Sequence, residues 1–289
     1  SNFKSGYFNL QKSMDLETII QKLQEEGTKT PQAPVLGKVT IPEGYTIDQI
    51  ATAITADVST KKAGKTPFKK VDLADALKRK EDFLKAVQDD AFIEKMVAKY
   101  PKLLANLPSK DSGVRYRLEG YLFPATYNYG KDTTVKEMID QMLAAMDQNL
   151  SPYYEILESK NINVNEVLTL ASLVEKEGAT DQDRKDIASV FYNRLNQDMP
   201  LQSNIAILYA EGKLGQKTTL KEDATINTEL DSPYNIYKNT GLMPGPVDNP
   251  GVSAIEAAVN PSKTDYLYFV ANVENGEVFF AKTYEEHNK

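Results

Sequence analysis

Apolar residues recur every three to four positions over several long stretches of this chain, and cluster in short runs over a few others. Leu16, Ile19, Ile20 and Leu23 share the helical spacing, with Ser13 placed to cap the helix and Gly27 to end it. A strand is expected before that helix, over Gly6 to Leu10. A second strand–helix unit follows: Lys38 to Pro42 reads as a strand, Glu43-Gly44 as a turn, and Thr46 as the cap of a helix carrying Ile47, Ile50, Ala51 and Ile54. The two units lie about 33 residues apart, a spacing at which an internal repeat is suspected. Asp57 to Lys70 is polar and Lys-rich and reads as a solvated loop. From Asp72 to about Ala105 the pattern is helical, with Pro101 and Pro108 punctuating its end.

The second part opens near Tyr116. Thr134 caps a helix whose Met138, Met142 and Met146 fall four apart, a spacing that means core packing. Val164 to Glu177 is apolar over most of its circumference and is expected deep in the fold. Gly178 suits its end, and Thr180 with Asp183 resembles a capping box for the next helix, which carries Ile187, Ala188, Val190, Phe191 and Leu195. These two form a helical hairpin, and a third helix is expected over Ser203 to Glu211. The chain ends in strands: Tyr266 to Ala271 and Glu277 to Ala281 flank Asn275-Gly276, the pair that a type I′ hairpin turn requires. The first of these strands is apolar on both faces, which predicts burial within a sheet. The fold class is therefore α+β, with the main boundary between about residues 80 and 112.

Composition narrows the chemistry. The 289 residues carry 34 Lys+Arg against 41 Asp+Glu, so there is no basic footprint for nucleic acid. The basic run from Lys61 to Lys70 is local. Cysteine is absent and histidine occurs once, at His287. Thiol nucleophiles, thiolate metal sites and His-based triads are thereby set aside, and neither metal nor cofactor is expected. Carboxylates are left for proton chemistry. No run of apolar residues is long enough to span a bilayer. The chain opens at Ser1-Asn2-Phe3 without Met, and a membrane anchor upstream remains compatible with it.

Glu175 and Glu177 stand at the end of the most buried-looking helix. A helical wheel puts both on the flanks of its apolar sector and Lys176 opposite, without choosing between them. A desolvated carboxyl has the raised pKa that a general acid needs, whereas an ordinary helix end would carry solvated or paired glutamates. Two residues apart on a helix, the pair cannot face one bond together. A two-carboxylate glycosidase holds its acids about 5 to 9.5 Å apart across the substrate, so the second would come from elsewhere, for instance Glu119 or Asp223. A single carboxyl suffices if the sugar supplies its own nucleophile.

Several segments, in order, resemble the endolytic murein transglycosylases, the YceG-like family. They are Leu170 to Glu177, Leu118 to Tyr127, Ala188 to Leu195, Leu201-Gln202-Ser203, Tyr234 to Tyr237, Gly241 to Pro246, Asn249-Pro250-Gly251, Asn260 to Lys263, Tyr266 to Val270 and Thr283 to Asn288. Val39 to Thr46 resembles the family's LysM-like region. The resemblance implies a LysM-like β/α region over 1–80, a helical linker over 81–112 and a mixed α+β catalytic domain over 113–289. It implies cleavage of peptidoglycan glycan strands between N-acetylmuramic acid and N-acetylglucosamine, leaving 1,6-anhydro ends. Glu175 is the acid/base under it, because the family's catalytic residue is the first Glu of the Val-Glu-Lys-Glu run. It also implies an extracytoplasmic, membrane-anchored enzyme working beside peptidoglycan synthases and the elongation machinery. The chain departs from the family wording at Asn204-Ile205, where Asp-Pro is usual, and at Gly178-Ala179-Thr180.

Glu119, Tyr121, Glu177, Asn193, Gln202, Ser203, Tyr234 and Asn235 are the further candidates for substrate contact. The polar ones could bind sugar hydroxyls or cap helices and turns, and the tyrosines, with Tyr127 and Tyr237, could stack on sugar or fill the core. Arg184 and Arg194 could orient Glu175 or pair at the surface. A conventional two-carboxylate hydrolase and a non-catalytic wall-binding scaffold are the competing functions.

Overall fold

A computed structural model describes residues 2–10, 12–29, 37–59, 73–130, 132–215, 226–272 and 274–289. The expected loop from Asp57 to Lys70, and Asp223, lie wholly or mainly outside the described residues.

The first helix, α1 (Leu16–Gln24), is capped by Asp15, which accepts from Thr18 N–H at 2.7 Å, rather than by Ser13. It ends at Gln24, before Gly27. No residue of α1 is buried, and the strand expected over Gly6 to Leu10 reduces to a single bridge between Tyr7 and Thr28.

The second unit is built into the body of the protein. Strand β1 (Gly37–Thr40) pairs antiparallel with β2 (Thr126–Tyr129), Val39 facing Tyr127. Thr46 caps α2 (Ile47–Ser59) as expected, taking Gln49 N–H at 3.2 Å. Ile47, Ile50, Ala51 and Ile54 are buried in the same apolar cluster as Phe83 and Val87. That cluster continues through Met138 and Leu170 to Val259, so the segment preceding residue 80 and the segment following 113 share a sheet and a core.

The helical stretch from Asp72 is two helices, α3 (Leu73–Ala86) and α4 (Asp90–Lys99). Asp89 breaks it by capping α4 through Phe92 N–H at 3.1 Å. Helix α5 (Val135–Leu150) starts in a full capping box, Thr134 with Glu137, and buries Met138, Met142 and Met146. A short α6 (Tyr154–Ser159) leads to α7 (Val164–Glu177), itself opened by an Asn163–Glu166 capping box and buried continuously from Val167 to Val174.

Gly178 ends α7 in an extended conformation, φ −108° and ψ 142°, not in the left-handed one. Its value is closeness: a Cβ there would fall 2.6 Å from Arg184 Cγ. Thr180 then caps α8 (Asp181–Asn196) through Asp183 N–H at 3.1 Å. After α9 (Asn204–Ala210), helix α10 (Val252–Val259) packs its buried Ala254, Ile255, Ala257 and Ala258 against the α7–α8 hairpin.

The terminal hairpin differs from expectation in two ways. Among the described residues, strands β3 (Tyr268–Ala271) and β4 (Val278–Ala281) form a two-stranded sheet, in which the opposed Val270 and Phe279 are 47% and 52% exposed. Tyr268 to Ala271 is thus not a buried central strand. Of the Asn275-Gly276 pair only Gly276 takes positive φ, at +73°, so no type I′ turn forms. The ladder instead closes through Asn272 N–H to Glu277 O at 2.7 Å, leaving a longer loop. A last turn of helix, α11 (Tyr284–His287), ends the chain.

Candidate active site

The exit of α7 delivers Glu175 into a junction of four segments. Its side chain is only 4% exposed. Oε1 accepts the backbone N–H of Gly251 at 2.9 Å; Gly251 is the N-cap of α10, so this donor is one that the helix leaves unpaired. On the other oxygen, Arg184 Nη2 of α8 stands 3.8 Å from Oε2. Arg184 is itself held by Ser253 Oγ at 3.0 Å and by Asp181 at 3.6 Å. The third neighbour is the Glu43-Gly44 turn after β1. Gly44 has φ +77°, and a Cβ there would fall 3.2 Å from Glu175 Cγ and 3.1 Å from Lys176 Nζ.

These surroundings set the acidity. Burial raises the Glu175 pKa above the ordinary carboxylate value, and the negative Glu43 adds to the rise. The Gly251 hydrogen bond, Arg184 and Lys176 oppose it without cancelling it. A carboxyl so placed holds its proton at a higher pH than a solvated glutamate, while two fixed donors face the anion that appears once the proton leaves.

Glu177 points elsewhere, as the helical geometry requires. It accepts from Ser203 Oγ at 2.9 Å, and burial raises its pKa. Ser203 also caps α9. This pair is a joint between two helix ends.

Beneath the Glu175 junction lie two more carboxyls. Glu119 is 2% exposed, and its Oε2 accepts Ile47 N–H at 2.8 Å and Asn249 Nδ2 at 2.9 Å. Burial pushes its pKa up to about 8 in spite of those bonds. Asp248 is fully buried and neither of its carboxyl oxygens has a hydrogen-bond partner. Burial drives its pKa well above the usual range, Glu175 and Glu119 push the same way, and Lys176 opposes. Burial without a hydrogen-bond partner favours the neutral form of Asp248.

Asn249 ties these parts together. Its Oδ1 accepts Gly120 N–H at 2.8 Å and Leu122 N–H at 3.0 Å, while its Nδ2 donates to Tyr45 O and to Glu119. Gly44 N–H returns a bond to Asn249 O at 2.9 Å.

Most of the other candidates are spent on the fold. Tyr121 is fully buried and donates to Asn165 Oδ1 at 3.0 Å. Tyr234 is buried against the Tyr209 ring, and Tyr127 donates to Phe123 O. Asn193 gives its amide to Thr264 O and Tyr266 O, and Asn235, fully buried, gives its own to Thr228 O and Leu230 O. Of these five, Tyr121, Tyr127, Tyr234 and Asn235 are buried, while Asn193 is half-buried at a surface recess beside Ser262 and Thr264. Gln202 is exposed, with φ +58°. The Tyr237 hydroxyl donates to Asn204. Arg194 serves Leu267 O and Pro200 O rather than Glu175.

A cavity of about 960 Å³ lies next to the junction, lined by Thr40, Pro42, Tyr45, Gln49, Arg115 and Tyr209 among others. Glu175 does not line it, but Pro42 and Tyr45 flank the turn that touches Glu175. Among the described residues there is no cluster of three or more His, Asp or Glu able to hold a metal ion.

Sequence reasoning missed Glu43, Asp248, Asn249 and Gly251 as parts of the junction. Glu43-Gly44 reads as a turn and Asn249-Pro250-Gly251 as one of the segments resembling the family, and only tertiary contact brings them to Glu175.

The whole chain, residues 1–289, matches the YceG-like family. Among similar proteins, one from Streptococcus pneumoniae serotype 2, named endolytic murein transglycosylase, is 59% identical over 289 residues, covering 100% of this chain and 50% of its own length. One of the same name from Bacillus subtilis is 40% identical over 290 residues, covering 100% of this chain and 72% of that protein. The chain thus spans about half the length of the streptococcal relatives it matches. The crystal structure of a YceG-like protein from Listeria monocytogenes superposes with a TM-score of 0.73 at 42% identity, covering 99% of this chain and 85% of the other. With a family match from end to end and a solved relative of the same fold, the chain belongs to the YceG-like family.

Proposed function

We propose that this chain is an endolytic peptidoglycan lytic transglycosylase that cleaves the β-1,4 bond between N-acetylmuramic acid and N-acetylglucosamine, with Glu175 as acid and then base. The observation that carries the reading is the setting of Glu175: one desolvated carboxyl, its pKa raised by burial, with Gly251 N–H and Arg184 facing its two oxygens. The protonated carboxyl gives its proton to the glycosidic oxygen as the C1–O bond breaks. The muramyl C6 hydroxyl oxygen then bonds to C1, and its proton passes back to the carboxylate. The product is a 1,6-anhydro end, no water is consumed, and Glu175 returns to its starting state. The names of the relatives support the substrate class.

The test is product mass. Purified peptidoglycan incubated with the protein is expected to yield anhydromuramyl ends, and Glu175→Gln to yield none. An active Glu175→Gln variant overturns the reading.

A second reading, a two-carboxylate hydrolase, is favoured by one observation: Glu43 stands beside the site. It predicts reducing ends in place of anhydro ends.

Peptidoglycan as substrate carries an extracytoplasmic location with it, and attachment to the membrane through a segment outside this chain fits that location. Among the described residues no helix is long and apolar enough to cross a membrane. Glycan binding by the LysM-like segment, and partnership with peptidoglycan synthases, belong to the same proposal. Binding of glycan fragments to the intact chain tests the former, and co-purification of the synthases tests the latter.

A further inference from the structure

Glu43 and Glu175 are far apart in sequence and meet over one bare backbone position. A Cβ built on Gly251 would fall 2.7 Å from Glu43 Cγ and closer still to the Glu43 carboxyl group, so that side chain rests directly on the Gly251 Cα. The same Gly251 gives its N–H to Glu175 Oε1 at 2.9 Å. On the other side of the turn, the missing Cβ of Gly44 lets the backbone approach Glu175 Cγ and Lys176 Nζ. The turn is pinned there by Gly44 N–H to Asn249 O at 2.9 Å and by the Tyr45–Asn249 bridge. Two glycines on separate segments are thus spent on bringing one exposed carboxylate against one nearly enclosed carboxyl.

We infer that Glu43 is a positioning residue for the Glu175 acid, so that the segment resembling LysM completes the catalytic site instead of merely tethering it to glycan. Its negative charge disfavours ionisation of Glu175 and keeps the acid form available to higher pH than it would otherwise persist, in line with its direction of action on that group. The other charged and titratable groups facing Glu175 are Lys176 on its own helix, Arg184 on α8 and Asp248 ahead of α10; Glu119 lies behind Asp248. Lys176 and Arg184 pull the other way, so Glu43 offsets two cations that would otherwise leave less of Glu175 protonated. The inference rests on Glu175 being the acid of the proposed reaction.

The experiment compares pH–rate profiles of the chain, its Glu43→Gln and Glu43→Asp variants and Glu175→Gln on purified peptidoglycan. In parallel, the Glu175 carboxyl is followed by carbon-13 NMR, its resonance assigned as the one missing from Glu175→Gln. Glu43 is exposed and glutamine fits the same space, so the variant is expected to fold, which circular dichroism checks. Glu43→Gln should move the alkaline limb of kcat/KM to lower pH, with activity on that limb falling several-fold relative to the acidic side. The Glu175 titration should shift in the same direction, and Glu43→Asp should recover most of both effects. Superposable profiles and titrations for parent and Glu43→Gln overturn the inference and leave the proposed function standing. Loss of turnover at every pH in Glu43→Gln, with the Glu175 titration unmoved, overturns it too and makes Glu43 a group that touches substrate. If Glu175→Gln is active, the proposed function fails, while the NMR titration still reports on Glu43.

Discussion

Asn249 Nδ2 donates to Glu119 Oε2 at 2.9 Å, joining the loop ahead of α10 to a carboxyl that also caps the first turn of α2. Asn249 is fully buried, and its side chain also serves Gly120 N–H, Leu122 N–H and Tyr45 O. Asn249→Ala strands two buried N–H groups and removes a donor from the buried Glu119 carboxyl and from the half-buried Tyr45 carbonyl. At about 1–3 kcal/mol for an unmade buried bond, and with partial relaxation, a loss of at least about 3 kcal/mol is expected. Urea unfolding of parent and variant measures it, and a loss below 1 kcal/mol would mean that the loop does not depend on this side chain.

Glu119 predicts a pH dependence of stability. Its folded pKa, about 8, lies above the unfolded carboxylate value. The folded state therefore binds the extra proton between those two pH values, and its stability falls as pH rises through that window. Glu119→Gln keeps one acceptor oxygen, which can take both Ile47 N–H and Asn249 Nδ2 as Oε2 does, but removes the titration. The variant should gain on the parent by up to about 1.4 kcal/mol per pH unit between roughly pH 4.5 and 8, with no further gain above. Denaturant midpoints across pH decide this; a parent–variant difference independent of pH contradicts it.

Arg184 should behave as the counterpart of Glu43. It opposes the raised pKa of Glu175 and stands 3.8 Å from Oε2. Replacing it with Met should move the alkaline limb of activity upward, the reverse of Glu43→Gln. The rate itself should fall on the order of tenfold as the carboxyl loses a fixed neighbour. A limb that moves down, or a rate equal to the parent's, contradicts the assignment of Arg184 to this site.

Ser203→Ala separates structure from chemistry. It strips the bond to the buried Glu177 and the cap of α9, together worth about 1–3 kcal/mol. The melting temperature should drop while the pH profile of turnover keeps its shape, because Glu177 faces away from Glu175. A shifted profile would tie Glu177 to the proton transfer after all.

How far the sequence reached depended on the range of the interaction. Helices α5, α7 and α8 were legible because their signals are local: caps at Thr134 and Thr180, a Met stripe, an apolar run closed by Gly178. Glu175 was legible as one of two flanking carboxyls, and the family resemblance chose it. That Glu175 and Glu177 face different sides followed from helix geometry alone, and the fold gives them different partners. Glu43 and Asp248 were not legible, because an acid's environment is written by segments distant in the chain. For Tyr121, Asn193 and Asn235 the sequence left sugar and backbone equally open, because their polar atoms suit either; in the fold the Tyr121 hydroxyl and the two amide groups meet neighbouring side chains and carbonyls. At β3, apolar residues on both faces suggested a central strand, yet among the described residues the sheet has two strands.

The Gly251 hydrogen bond has a bearing on biosynthesis. A ribosome releases Glu43 first, Glu175 much later and Gly251 later still, so a growing or prematurely clipped chain carries the acid without the partner that orients it. Fragments ending short of the α10 cap keep the acid but lose the Gly251 donor, and should be unable to cut the polymer that, on the proposed function, holds a cell against its own turgor.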